Sequence, residues 1–290
     1  MTKGNKLREI LSEPGILVLP GVHDCLSVKL TEKIGFKVAF TSGFGISASM
    51  LGKPDFGFLN ATEMLWSVSR IISSVDIPVV VDIDTGYGNA LNVMSTVSEV
   101  VKIGGAGIIL EDQDWPKKCG HFDGKSVISM SEHVEKIHAA KEARKDSGLI
   151  IIGRTDSRAS LGLDEAIKRG NSYYEAGADI VFIEAPQSKE ELKEIASAFS
   201  DDVPLFANMV EGGKTPFLSS TELEELGYKI VVYPLAGLFS ATKALESCFN
   251  HLKENGTTLG FEDMLDFKEF EDVIDTPSYR ELESKFKTDS

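Results

Sequence analysis

Eight short aliphatic runs recur along the chain, each bounded by turn-forming residues, and no other feature restricts the fold as tightly. They are Ile16–Pro20, Val38–Ser42, Pro78–Asp84, Gly107–Glu111, Leu149–Thr155, Ile180–Glu184, Pro204–Asn208 and Ile230–Pro234. Continuous apolar runs of this length are what strands buried on both faces require. Helix-like stretches follow most of them: Thr62–Ser74, Ala90–Ile103 behind Asn89, Ser131–Lys145, Leu163–Ala176, Lys189–Phe199, Ser220–Glu225 and Leu235–Lys253. Ser131 is the expected cap of its own helix, and Gly177 the expected stop after Ala176. Eight strands alternating with helices suit a closed (β/α)8 barrel of the TIM type better than an open sheet. No Pro-, Gly- or Ser-rich linker divides the chain. One barrel domain over 1–290 is therefore expected, with 261–290 as a C-terminal helical arm.

That arm departs from the repeat. Phe261–Lys287 has a helical pattern broken at Thr276-Pro277, with Phe267, Phe270, Val273 and Ile274 on one side. A closed barrel needs no further helix. The arm packs either on a neighbouring subunit or back on its own barrel, and the pattern leaves both open.

In a barrel of this kind the chemistry collects at the C-terminal ends of the strands. Those ends read Thr41-Ser42-Gly43, Asp82-Ile83-Asp84-Thr85-Gly86, Glu111-Asp112, Arg154-Thr155-Asp156, Glu184, Asn208 and Tyr233-Pro234. Asp82 and Asp84 lean the same way along one strand, and with Glu111 on the next they offer a hard oxygen site suited to Mg²⁺, with Mn²⁺ possible. Asp84-Thr85-Gly86 is also a good turn sequence. After the fourth strand comes Trp115-Pro-Lys-Lys-Cys-Gly-His121, where Lys117, Lys118 and His121 surround a thiol and should lower its pKa. The loop from Asp112 to Lys125 is long enough to be a lid; by itself it also fits an exposed basic loop with an incidental cysteine. Cys25 and Cys248 sit among apolar neighbours and are expected to be buried. His133 and His138 fall on a polar helix and are expected to be solvated. Glu211-Gly212-Gly213-Lys214 reads as a flexible loop.

Charge narrows the partners. Thirty Lys and Arg face 45 Asp and Glu, a net charge of −15. Such a surface repels phosphate backbones and anionic lipid, which disfavours nucleic acid and membranes. An anionic substrate would need clustered cations or a metal. The three scattered cysteines suggest no disulfide framework, and the N-terminus has no signal-like apolar core, so a cytoplasmic protein is expected.

The loop Lys117-Lys118-Cys119-Gly120-His121 after Glu111-Asp112-Gln113 resembles the catalytic loop of the isocitrate lyase/phosphoenolpyruvate mutase superfamily. Asp82-x-Asp84-Thr-Gly and Arg154-Thr155-Asp156 extend the resemblance over residues 10–287. It implies a Mg²⁺-dependent barrel, usually a tetramer built as a dimer of dimers, with a helix exchanged between subunits. By the same resemblance Asp82 and Asp84 are the metal carboxylates, with Glu111 and Asp55 reaching the ion through water. Ser42, Gly43 and Phe44 would hold an α-keto carboxylate completed by Arg154, Cys119 would be the general acid, and Lys117 would contact substrate. Gly120, His121, Glu184 and Asn208 would surround the other carboxylate or its enolate.

Within the superfamily, phosphonate mutases lack the Lys-Lys-Cys-Gly-His pattern, and true isocitrate lyases are much longer. Methylisocitrate lyases typically have tyrosine where Phe40 stands and Thr-Glu-Phe-Gly where this chain has Val210-Glu211-Gly212-Gly213. Oxaloacetate acetylhydrolases, which include the petal death protein, usually have serine at the position of Pro234. Gly153 and Ser157 also stand where alanines are common, with no account of their effect. The stretches Leu51–Gly57 and Asn208–Pro216 look most like dimethylmalate lyase and petal death protein sequences. The resemblance thus implies cleavage of a 2-alkyl or 2,3-dialkyl malate, such as 2,3-dimethylmalate, to pyruvate and propionate. The alternatives are 2-methylisocitrate lyase and oxaloacetate acetylhydrolase.

Overall fold

The structure is a computed structural model that describes residues 1–122 and 124–287. Asp123, inside the expected lid, and positions 288–290 of the expected arm lie outside the described residues. The eight expected strands are all present: β1 (Leu17–Val22), β2 (Ala39–Thr41), β3 (Val79–Asp82), β4 (Gly107–Glu111), β5 (Ile150–Thr155), β6 (Ile180–Ile183), β7 (Leu205–Asn208) and β8 (Ile230–Tyr233). Each pairs in parallel with its sequence neighbours, and β8 pairs with β1, closing the barrel.

Side chains alternate across a strand, so every second residue faces the interior. Leu19, Phe40, Val80, Ile109, Ile152, Phe182, Phe206 and Val232 form one buried cluster that fills the barrel. Two residues further along stand Gly21, Ser42, Asp82, Glu111, Arg154, Glu184, Asn208 and Pro234. Six of these eight are polar, the top layer of the same inward-facing columns whose lower layers are hydrocarbon. The intervening residues, such as Val81, Ile108 and Ile151, pack outward against the helices. The register of β4 on β5 sets Glu111 beside Arg154.

Local signals account for the helix boundaries. The helix Ala61–Ser73 starts ahead of the expected Thr62, because the Asn60 side chain accepts from the Thr62 and Glu63 amides while Glu63 reaches back to the Asn60 amide. Met130–Arg144 is capped by Ser129, not Ser131, since it is the Ser129 hydroxyl that receives the Glu132 amide. Gly177 ends its helix at φ 114°, a conformation that costs glycine little. An unanticipated helix, Lys3–Ser12, inserts Leu7 into the cluster filling the barrel.

Two expectations about burial fail. His133 is fully buried, its ring 4.4 Å from the Tyr173 ring and tilted against it, and burial pushes its pKa down to about 3. Its helix packs one face against the barrel, and His133 is on that face; His138 is exposed as expected. Cys25 and Cys248 are only half-buried. Cys25 opens the helix Cys25–Ile34, and Cys248 lies on Ala236–Asn255, a helix with no buried residue in this chain. That helix leaves Leu245 and Phe249 exposed. The arm follows as Phe267–Val273 and Thr276–Lys285, interrupted at Asp275, and Phe267, Tyr279 and Phe286 are likewise exposed.

Candidate active site

A cavity of about 50 Å³ lies at the C-terminal mouth of the barrel. It is lined by Ser42, Phe44, Asp55, Asp82, Glu111, Lys117, Cys119, Gly120, His121, Arg154, Glu184 and Asn208 among others. The other two expected residues adjoin it: the Gly43 amide donates to Asp82 Oδ2 (3.1 Å), and Asp84 Oδ1 pairs with Lys117. The sequence-predicted residues therefore converge on one site. Lys117, Cys119, Gly120 and His121 of the loop above it form part of its lining.

On one side is a carboxylate group. Lys117 Nζ lies 2.7 Å from Asp55 Oδ2 and 2.6 Å from Asp84 Oδ1, with all three side chains buried. Asp82 is fixed by its own Oδ1, which accepts from the Asp84 amide at 3.1 Å, and by the Thr41 hydroxyl, which receives the Asp82 amide. A Cβ on Gly43 would stand 2.9 Å from Asp82 Oδ2 and 3.3 Å from Asp84 Oδ1, so any side chain there would intrude on the carboxylates. Burial, reinforced by Asp82 and Asp55 against the pull of Lys117, raises Asp84 to about 7. Burial also raises Glu111 well above the usual range, despite Arg154 beside it. Lys117 is desolvated too, but the surrounding carboxylates outweigh that and hold it protonated.

Four buried carboxylates here share Lys117 with only part of Arg154, and among the described residues Glu111 Oε1 has no hydrogen-bond partner. Among the described residues no three His, Cys, Asp or Glu side chains converge to enclose an ion by themselves. Mg²⁺ does not require that, because it keeps several waters and takes one or two carboxylates. An all-oxygen donor set in which burial and neighbouring carboxylates disfavour the ionised forms of Asp84 and Glu111 fits such a cation.

On the other side are the groups expected to meet a second carboxylate. Arg154 reaches Glu111 Oε2 (3.3 Å), Glu184 Oε2 (3.1 Å) and Asp156 Oδ2 (2.8 Å). Asn208 Nδ2 donates to Glu184 Oε2 at 3.2 Å. The Lys214 amide donates to His121 Nδ1 (2.9 Å), which leaves Nε2 to carry the proton, facing Glu184 Oε1 at 3.5 Å. The Glu211–Lys214 loop thus has a definite task, holding the His121 tautomer. Burial lowers the His121 pKa, with Glu184 opposing.

The loop carrying Cys119 is closed over the mouth. Its base is pinned by the Gln113–Val127 bridge, and the Cys119 amide donates to the Asp55 carbonyl (3.2 Å). Phe122 packs on Phe44 and Phe56. The expectation of a lowered thiol pKa is overturned. Burial, with Asp55 and Glu184 adding to it, pushes Cys119 up to about 11. Lys117 does pull the thiol downward, but burial outweighs it, because Lys117 is itself paired with carboxylates, and Lys118 donates to the Gly124 carbonyl. A thiol kept protonated is a proton donor, not a nucleophile.

Sequence reasoning passed over two sets of residues. Ile109, Phe182, Phe206, Val210, Val232 and Leu235 line the cavity as well; the alternation that places Asp82 and Arg154 inward would have found most of them. Asp112 is a buried hub, accepting from Thr155 Oγ1 (2.7 Å), the Asp156 amide (2.8 Å), Arg169 Nη1 (2.9 Å) and Tyr173 Oη (2.7 Å). Two of those donors lie on a distant helix, and nothing local signals them.

Comparison with known proteins follows the same lines. The family described as phosphoenolpyruvate phosphomutase matches residues 7–253. The 2,3-dimethylmalate lyase of Eubacterium barkeri is 46% identical, covering 99% of both chains. A carboxyvinyl-carboxyphosphonate phosphorylmutase of Arabidopsis thaliana is 44% identical, over 97% of this chain and 84% of its own. A 2-methylisocitrate lyase of Bacillus subtilis is 41% identical, over 98% and 92%. Among solved structures, a 2,3-dimethylmalate lyase superposes with a TM-score of 0.92 at 32% identity, covering 98% of this chain and 95% of its own. An oxaloacetate acetylhydrolase in complex with 3,3-difluorooxalacetate gives 0.92 at 31%, covering 98% and 97%. A phosphonopyruvate hydrolase in complex with oxalate and Mg²⁺ gives 0.89 at 30%, covering 99% of both.

Proposed function

The chain belongs to the phosphoenolpyruvate mutase/isocitrate lyase superfamily and is a carbon–carbon lyase of it, and from that premise we propose that it cleaves a 2-alkyl or 2,3-dialkyl malate with Mg²⁺. For 2,3-dimethylmalate the products are pyruvate and propionate. The observation that carries this choice is the hydrocarbon part of the cavity. Phe40, Val210, Val232, Pro234 and Leu235 all line it, which suits alkyl substituents. Phe40 and Pro234 are the positions where a tyrosine or a serine would point to the alternative branches. The thiol-bearing loop likewise supports carbon–carbon over phosphoryl chemistry, although one relative is named a phosphorylmutase.

Asp55, Asp82, Asp84 and Glu111 are the residues that would hold the cation. When bound, it supplies a Lewis acid for the hydroxy-acid end of the substrate. Cleavage passes the hydroxyl proton to a base at the carboxylate group, Glu111 or Asp55 acting through a water, makes the C2 carbonyl, and sends the C2–C3 electron pair onto C3 and its carboxylate. Donors from Arg154, His121 and Asn208 stabilise that developing charge. Cys119 Sγ–H then gives its proton to C3, and the closed loop excludes water that would compete. Ser42 and Gly43 shape the floor beside the carboxylates: the Ser42 hydroxyl caps the helix Gly43–Leu51 by accepting the Gly45 amide.

We also propose a homotetramer, a dimer of dimers with the C-terminal arm exchanged, and a cytoplasmic location. The exposed apolar residues of the last helices and the three free cysteines support these readings. Among the described residues no helix is long and apolar enough to cross a membrane.

A pyruvate-release assay on 2,3-dimethylmalate, 2-methylisocitrate and oxaloacetate, with oxalate measured alongside, tests the substrate choice. Dimethylmalate is expected to be cleaved fastest, with activity abolished by EDTA and restored by Mg²⁺. Faster cleavage of 2-methylisocitrate, or oxalate from oxaloacetate as the main product, would overturn it.

A further inference from the structure

We propose that Lys125 is a positioning residue that latches the catalytic loop closed and ties its closure to the grip of Arg154. The proposal rests on the lyase reading of the site and concerns a residue that touches none of the reacting atoms in that reading. Lys125 Nζ donates to two acceptors, the Gly120 carbonyl and Asp156 Oδ1, the latter at 2.7 Å. The side chains of Lys125 and Asp156 are 1% and 0% exposed. The same Asp156 carboxylate holds Arg154 in two bonds, Nε to Oδ2 (2.8 Å) and Nη2 to Oδ1 (3.1 Å). One carboxylate therefore fixes both the arginine of the substrate site and, through Lys125, the peptide between Cys119 and His121.

The geometry separates post from latch. Lys125 is next to the anchored base of the loop, where Asp114 donates its amide to the Ser126 carbonyl and Gln113 bridges Val127. Gly120 is at the tip, pressed so closely on the site that a Cβ would lie 2.5 Å from Arg154 Nη2 and 2.6 Å from Glu184 Cδ. If the tip lifts, Lys125 Nζ loses a charge-assisted bond in a buried setting, while Asp156 and its partners stay in place. If Asp156 rotates away from Arg154, Lys125 follows it and the tip is released. Behind Asp156, its amide is fixed on Asp112 Oδ1, so the latch engages a rigid wall.

The test compares full-length wild type with Lys125→Met and Lys125→Arg, using two readouts. The first is the alkylation rate of Cys119 by iodoacetamide at pH 8, followed by mass spectrometry of its peptide. The second is the kcat and KM for dimethylmalate cleavage. A charged hydrogen bond of this kind corresponds to about 10- to 100-fold in the closed-to-open ratio. Lys125→Met is expected to alkylate faster by about that factor and to lose kcat more than KM, with Lys125→Arg partly restoring both. Should Lys125→Met fold poorly by circular dichroism, Lys125→Met/Asp156→Asn removes both buried charges together, and the same acceleration is expected. Unchanged alkylation overturns the latch, even if turnover falls. Because alkylation requires no substrate, an accelerated reaction supports the latch even if dimethylmalate proves not to be the substrate, which keeps the two failures apart.

Discussion

The Cys119 thiol is held by its neighbours in the form the chemistry needs. Burial and the nearby carboxylates push its pKa up to about 11, so its alkylation rate should rise with a midpoint near that value, far above the usual cysteine range near 8.5. A midpoint near 8 would contradict the closed, carboxylate-facing setting. Replacing it by serine should lower turnover by about 10²- to 10⁴-fold, the usual contribution of a positioned proton donor, and wild-type turnover in Cys119→Ser would end its assignment as the acid. Gly43 is the other residue whose chemistry is settled by distance. Gly43→Ala would place a methyl 2.9 Å from Asp82 Oδ2, so Mg²⁺ affinity should fall about 10- to 100-fold, as when a ligand's supporting contacts are disturbed. Isothermal titration with Mg²⁺ measures it, and unaltered affinity would remove Asp82 from the cation site.

At the scale of the element, the end of β5 carries the tightest electrostatics. Burial alone would raise Asp156, but Arg154 and Lys125 outweigh it and hold its carboxyl well below the usual 3.8. A carboxylate depressed in the folded state contributes stability that is complete above its unfolded pKa and is lost as pH falls toward the folded one. The stability gap between wild type and Asp156→Asn should therefore be widest above pH of about 5 and shrink below about 4, as read by urea denaturation at each pH; a gap that widens with acid would contradict the sign. At the opposite end of the barrel, Leu7 is fully buried, and Leu7→Ala should cost about 2–5 kcal/mol of stability while leaving KM unmoved. The strands were legible because buried parallel strands must be continuous hydrocarbon, and their ends were legible because period-two alternation carries Val80 to Asp82 and Ile152 to Arg154. What was not legible depended on contacts across the chain. Asp112 gathers Arg169 and Tyr173 from a helix some sixty residues away; Lys117 exchanges the expected thiol for Asp55 and Asp84 only because the loop folds inward; and His133 reads as surface until the face of its helix is known.

Over the whole molecule, the charge of −15 no longer conflicts with an anionic substrate. Several of those acids surround the cavity, where they suit a cation that in turn attracts dicarboxylates. The last helices are the remaining whole-molecule feature: Ala236–Asn255 buries no residue, and the arm beyond it exposes Phe267, Tyr279 and Phe286. Exposed apolar groups on that scale suit the proposed interface between subunits. Truncation before Phe261 is expected to dissociate the proposed tetramer in light scattering, and an assembly left intact would refute the exchanged arm. Turnover of 2,3-dimethylmalate with Mg²⁺ in D₂O, with both products quantified by NMR, tests whether C2–C3 cleavage ends with a proton delivered to carbon inside a closed site. Equal amounts of pyruvate and propionate are expected, the propionate carrying a single deuterium at C2. Absence of propionate, or oxalate formed from oxaloacetate as the faster reaction, would contradict this cleavage.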